Sequence, residues 1–212
     1  MLLKLSLALG LSLGFLVAGT LSASAQTATE AWRLGGFKTP ESVIFDKANN
    51  RLIIDNIGAF GPDGGTDGYL SIVSPEGKLV TEQWVTGLSD PKGMAIIGDS
   101  LFVADTTGLV EVKLSDGSIV ATHPLEGAMM ANDVATDGTV IYVSDTFGQA
   151  IYRVEGGKAE KWLADEKLMS PNGLFIDGGQ LLVGGLGSGL KEDFSVTTKG
   201  CLLYTSPSPR DS

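Results

Sequence analysis

The chain has 212 residues, of which 43% are hydrophobic and 29 are glycine, and its 15 basic against 25 acidic side chains leave a formal net charge of −10. That charge excludes a nucleic-acid partner, because phosphate binding needs a basic patch. The single cysteine, Cys201, excludes a disulfide framework and leaves stability to a hydrophobic core alone.

Residues 1–25 read as a secretory signal peptide: Lys4 is followed by an apolar run from Leu5 to Val17 and by Ala23-Ser24-Ala25, a cleavage pattern of small residues. The apolar run is shorter than the roughly 20 residues of a spanning helix. The mature chain is expected to start after Ala25, without a membrane span, in the periplasm or outside the cell. Residues 26–34 are assigned as a linker.

From residue 35 one pattern recurs. Pro40-Glu41-Ser42-Val43-Ile44-Phe45-Asp46 leads to Leu52-Ile53-Ile54-Asp55-Asn56, and Pro91-Lys92-Gly93-Met94-Ala95-Ile96 leads to Leu101-Phe102-Val103-Ala104-Asp105-Thr106. Ala131-Asn132-Asp133-Val134-Ala135-Thr136 leads to Ile141-Tyr142-Val143-Ser144-Asp145-Thr146, and Pro171-Asn172-Gly173-Leu174-Phe175-Ile176 to Leu181-Leu182-Val183-Gly184. After the first three copies a third strand (69–73, 109–114, 151–154) and a fourth (79–84, 119–123, 159–163) follow at turns such as Glu76-Gly77, Asp116-Gly117 and Gly156-Gly157. Four short strands in a unit of about 40 residues make one blade of an all-β β-propeller. Units therefore start near 40, 91, 131 and 171, and the fourth is incomplete. The stretch 58–68 is an insertion in the first unit. Its Asp63 and Asp67 fit no full calcium loop, so it reads as a surface insertion.

Gly184-Gly185-Leu186-Gly187-Ser188-Gly189 is a turn and not a phosphate loop, since no Lys-Ser/Thr follows it. Residues 201–212, Cys201-Leu202-Leu203-Tyr204-Thr205-Ser206-Pro207-Ser208-Pro209-Arg210-Asp211-Ser212, break composition with the repeat. They resemble the translation of a transposase sequencing adapter and are set aside as an artefact. On that reading the partial propeller is 35–200, and its missing remainder would carry further blades.

Positions shared by the copies are scaffold. Asp55, Asp105 and Asp145 each end a second strand at the same place in the repeat, where a carboxylate accepts backbone N–H bonds. Trp84 and Trp162 match one another and read as packing between blades, and His123 reads as a packed or surface residue. The position after each first-strand opener is different. First strands line the channel of a propeller, so Glu41, Lys92, Asn132 and Asn172 ring its mouth. A carboxylate and two amide carbonyls are hard oxygen ligands of the kind Ca²⁺ takes, with Mg²⁺ or Mn²⁺ as alternatives, and without His or Cys zinc is not expected.

The Pro-Glu-Ser-Val start, the Asn132-Asp133 pair with its Asp-Gly turn and Tyr-Val-Ser-Asp-Thr strand, and Pro171-Asn172-Gly173-Leu174 resemble the gluconolactonase/regucalcin-like family. The resemblance implies a six-bladed propeller, about four blades of which are present here, and one divalent metal, usually calcium, in the channel. It makes Glu41, Asn132 and Asn172 metal ligands. Asp133 beside them, or a later Asp, becomes the group that activates water. Lys92 departs from the family pattern: its ammonium on the ring either repels the metal or, as a substrate-binding residue, holds a carboxylate substrate. The family's fourth ligand would lie past residue 200. Met130 stands where characterised members carry a sugar-binding Arg, which argues against gluconolactone itself. The implied function is an exported Ca²⁺-dependent lactone or ester hydrolase acting on a small molecule, and the alternative is a non-enzymatic propeller that binds a ligand or a protein.

Overall fold

Alternation of apolar residues with period two forces the repeat into sheets, because each strand then offers one apolar face to either side. The computed structural model describes residues 29–59 and 65–204. The chain divides into two units, 1–31 and 32–212, and every strand among the described residues belongs to the second. The expected signal peptide and Asp63 lie outside the described residues.

Blade 1 consists of β1 (Val43–Asp46), β2 (Arg51–Asn56), β3 (Gly68–Val73) and β4 (Leu79–Leu88). Blade 2 is β5 (Pro91–Ile97), β6 (Ser100–Asp105), β7 (Gly108–Lys113) and β8 (Ile119–Pro124), and blade 3 is β9 (Ala131–Thr136), β10 (Ile141–Asp145), β11 (Ala150–Glu155) and β12 (Lys158–Ala164). A 3₁₀ turn at Glu166–Leu168 leads to blade 4, which has β13 (Pro171–Asp177), β14 (Gln180–Gly185) and β15 (Cys201–Tyr204). Within each sheet the strands lie in sequence order and pair antiparallel. The chain is thus a β-propeller whose four sheets open at Val43, Pro91, Ala131 and Pro171. Cys201–Tyr204 extends the edge of β14. That pairing uses backbone groups, which any short extended run can supply to an open sheet edge.

The core lies between blades. Ile53, Leu70 and Ile72 of blade 1 pack on Leu101, Val103, Val110 and Val112 of blade 2, while Ala104 and Leu109, on the opposite face of blade 2, meet Val134, Val143 and Tyr152 of blade 3. Trp162 joins the next cluster, with Leu174, Leu181 and Val183 of blade 4, and meets Tyr142 edge-on at 5.3 Å. Sheets buried on both faces need apolar residues on both, which is why the inner strands read as nearly continuous apolar runs.

Arg51 ties blade 1 to blade 2. Its Nε donates to the buried Asp46 carboxylate at 2.8 Å, another guanidinium nitrogen donates to the Leu114 carbonyl, and the guanidinium lies 4.5 Å from the Trp84 ring centroid. A lysine keeps the charge but loses the planar fork and the stacking. Arg51→Lys is expected to cost about 1–2 kcal/mol, read as a lower urea midpoint at unchanged slope.

Candidate functional site at the channel mouth

The first strands β1, β5, β9 and β13 lie side by side, and their opening residues share one end of the ring. Lys92 and Asn132 occupy the second positions of β5 and β9, and both are buried. Asn172 is the second residue of β13 and is half-buried, and Glu41 stands exposed just before β1. Ser42 Oγ donates to Glu41 Oε2 at 2.7 Å. Among the described residues neither the Asn132 nor the Asn172 side-chain amide makes a hydrogen bond.

Asp133 joins two blades. Its Oδ1 accepts from Val134 N at 2.8 Å and its Oδ2 from Leu174 N at 2.7 Å. Its backbone N donates to Ser144 Oγ, which in turn donates to the Asn172 carbonyl. Burial pushes the Asp133 carboxyl above the usual carboxylate range against those two backbone bonds, and the nearby charge of Glu41 adds to the rise. Glu41, just before β1 of blade 1, and Asp133, on β9 of blade 3, are therefore near enough for one charge to act on the other.

Lys92 is 3% exposed, and its Nζ donates to the Asp90 carbonyl at 2.8 Å. Burial lowers its pKa, while Asp90, Asp105, Glu41 and Asp55 all hold it up. The ring thus contains an ammonium embedded among carboxylates.

The pairing register corrects one reading of the sequence. Ile54, Val103 and Val143 lie opposite Val43, Met94 and Val134, so the counterpart of Asp105 and Asp145 is Asn56, not Asp55. Asp105 accepts from Ser89 N and Asp90 N, Asp145 from Met129 N and Met130 N, and Asn56 Oδ1 from Lys38 N. This is the scaffold role expected of the shared position.

Asp55 instead stands where blade 3 has Ser144. Its Oδ1 accepts from Glu41 N at 3.1 Å and Ser42 N at 2.5 Å, while Oδ2 is buried without a hydrogen-bond partner among the described residues. Desolvation pushes its carboxyl up to about 7, over the opposing backbone bonds. Asp55 thus accepts backbone N–H bonds, as the sequence reading expected, but from the opening residues Glu41 and Ser42 themselves. The signal that could have found this is the length of the run Leu52–Asp55, one residue shorter than Leu101–Asp105.

Of the two acidic insertion residues, the Asp67 carboxylate accepts from Ala59 N at 3.1 Å, which closes the base of that loop. Among the described residues no three His, Cys, Asp or Glu side chains form a metal cluster. The ring offers one carboxylate and two amides instead. None of these ring residues lines the open cleft of about 800 Å³ formed by Met129, Phe147 and Leu190–Asp193. No helix among the described residues is long and apolar enough to cross a membrane.

No protein-family profile and no curated protein matches the chain. Solved structures do. A nidogen/laminin complex matches with a TM-score of 0.58 at 20% identity, over 71% of this chain and 58% of that one. A luciferin-regenerating enzyme gives 0.55 at 16% over 78% and 60%, and virginiamycin B lyase from Staphylococcus aureus 0.53 at 16% over 68% and 47%. These likenesses place the chain in the class of β-propeller proteins. The chain spans roughly half to three-fifths of the length of these structures.

Proposed function

We propose that the chain belongs to an exported, Ca²⁺-dependent lactone or ester hydrolase of the gluconolactonase-like type. The observation that carries this reading is the pair of channel amides, Asn132 and Asn172, that make no hydrogen bond among the described residues and stand at positions equivalent to Glu41. An amide oxygen that no protein donor occupies is available to a cation that takes oxygen ligands, and one ion would engage both. The donor set suits Ca²⁺, so Glu41, Asn132 and Asn172 would hold the ion. Bound there, it supplies Lewis-acid polarisation of a carbonyl.

The remaining steps fall to the protein. Asp133 lies next to a proposed ligand, and a carboxylate made more basic by burial is suited to take a proton from water. Lys92 supplies positive charge to orient the polar end of a small lactone or ester. The enzyme names among the structural neighbours agree with a catalytic propeller at the level of the fold only.

Calorimetric titration of the full-length protein with Ca²⁺, and assays on a lactone and ester panel, test this. Ca²⁺-dependent hydrolysis is expected, with at least a hundredfold loss, about 2.7 kcal/mol, in Glu41→Ala. Activity indifferent to both Ca²⁺ and Glu41 would sink the mechanism.

A second reading, a non-enzymatic ligand-binding propeller, is favoured by Lys92, because an ammonium already built into the ring can hold an organic anion without any metal. It predicts no Ca²⁺ heat and loss of carboxylate-ligand binding in Lys92→Met.

A further inference from the structure

Asparagine is a chemically labile residue. Its side-chain amide is lost when the backbone nitrogen of the next residue attacks Cγ, and glycine, with no Cβ, obstructs that attack least. A folded strand ordinarily suppresses the reaction by fixing the backbone and engaging its N–H groups in hydrogen bonds. The ring holds two asparagines, and the fold treats them differently.

Asn132 is 6% exposed and is followed by Asp133. The backbone N of Asp133 donates to Ser144 Oγ at 2.9 Å, and its carboxylate accepts from Leu174 N of the next blade at 2.7 Å. The nitrogen that would attack Asn132 is therefore engaged, and the residue carrying it is clamped.

Asn172 is followed by Gly173. The two lie in a bulge, because Pro171 pairs with Gly185 and Leu174 with Val183, which leaves Asn172 and Gly173 opposite the single residue Gly184. The same bulge in blade 3 sets Asn132 and Asp133 opposite Ser144. Gly184 thus stands in the place of Ser144 and offers no hydroxyl to the Gly173 N–H. Gly173 is exposed, and a Cβ there would meet nothing within 4 Å. The Asn172 side-chain amide makes no hydrogen bond among the described residues. The bond from Ser144 Oγ to the Asn172 carbonyl, 2.7 Å long, is the one that must open for this peptide plane to turn.

We propose that Asn172 is a self-modification site, which the folded protein converts to aspartate or isoaspartate without an enzyme. Gly173 N bonds to Cγ of Asn172 and the bond from Cγ to the amide nitrogen breaks. That nitrogen leaves as ammonia, taking the proton from Gly173 N. Water then opens the cyclic imide: addition at Cγ gives aspartate, and addition at the backbone carbonyl gives isoaspartate. Either product adds one negative charge at the channel mouth. The aspartate also gives the ring a second carboxylate, and Ca²⁺ sites tighten as ligand charge rises. This consequence rests on the metal reading of the ring, whereas the modification does not.

The full-length protein, held folded at physiological pH and temperature, is digested at intervals and its peptides weighed. Asn172 is expected to convert at least about tenfold faster than Asn132, through local motion and not global unfolding. Gly173→Ala, whose added methyl group has open space, should keep the fold and slow the conversion at least about tenfold. Equal rates at Asn172 and Asn132 would overturn the proposal. So would a wild-type rate at Asn172 in Gly173→Ala, or a rate that falls between urea-unfolded and folded protein by the full unfolding equilibrium constant. Calorimetry on Asn172→Asp reads the consequence separately. Ca²⁺ binding at least about tenfold tighter than wild type is expected, and no gain would overturn the consequence. Absence of Ca²⁺ heat in both proteins would instead count against the metal reading.

Discussion

Replacing Asp55 with Asn is expected to make the protein more stable above neutral pH and to flatten its stability profile between pH 5 and 8. Asp55 is fully buried, and its carboxyl titrates near 7 instead of 3.8 because desolvation penalises the charge. The sign follows from linkage. Between about pH 4 and 7 the folded state holds a proton that the unfolded chain has released, so stability falls as pH rises through that window. Above about 7 the penalty is complete, at up to roughly 4 kcal/mol for a displacement of this size. Asparagine stays neutral throughout, and its Oδ1 can still accept from Glu41 N and Ser42 N. Asp105 and Asp133 are displaced in the same direction by burial, so the variant should keep a shallow slope. Urea titrations at pH 5, 6, 7 and 8 check this, and parallel profiles for the two proteins would refute it. A carboxylate kept at this cost beside Glu41 and Lys92 fits a group held for function, since stability alone would favour the amide.

The propeller was legible because a blade cannot bury its faces alone. The copies must therefore share period-two apolar runs, Gly turns and a terminal acceptor such as Asp105 or Asp145, all of which are local in sequence. The site was legible only in part. Glu41, Lys92, Asn132 and Asn172 stood out as the mismatched residues of a matched position. Asp55 did not, because aligning like with like paired it with Asp105 and Asp145. Only the backbone register, Val43 opposite Ile54, shows that Asn56 takes that role and that Asp55 turns to the ring. The bond from Leu174 N to Asp133 joins different blades, and no spacing in the sequence predicts it.

The second large effect is expected at Gly93. The equivalent position holds Ser42 in blade 1, Asp133 in blade 3 and Gly173 in blade 4, so the backbone there accepts a side chain in principle. What forbids one at Gly93 is the neighbouring blade. A Cβ would press on Asp133 Oδ1, 2.5 Å from Asp133 Cα and 2.8 Å from the Asn132 carbonyl. Two of these three atoms belong to the backbone of β9, which is clamped by the Ser144 and Leu174 bonds to Asp133 and cannot yield without breaking them. Overpacking against a fixed backbone falls at the upper end of its usual range, about 3 kcal/mol, or roughly 6–12 °C in Tm for a domain of this size. Gly173→Ala is the control, since its Cβ would meet nothing within 4 Å in this chain, and it should leave Tm unchanged. Equal Tm losses for the two variants would show that glycine is needed at this strand position for its backbone alone. A loss confined to Gly93→Ala would show that the close approach of blades 2 and 3 holds Asn132 and Asp133 in place. Under the metal-site reading the same variant should then weaken Ca²⁺ binding without touching a single ligand, because the strand that presents Asn132 has been pushed outward.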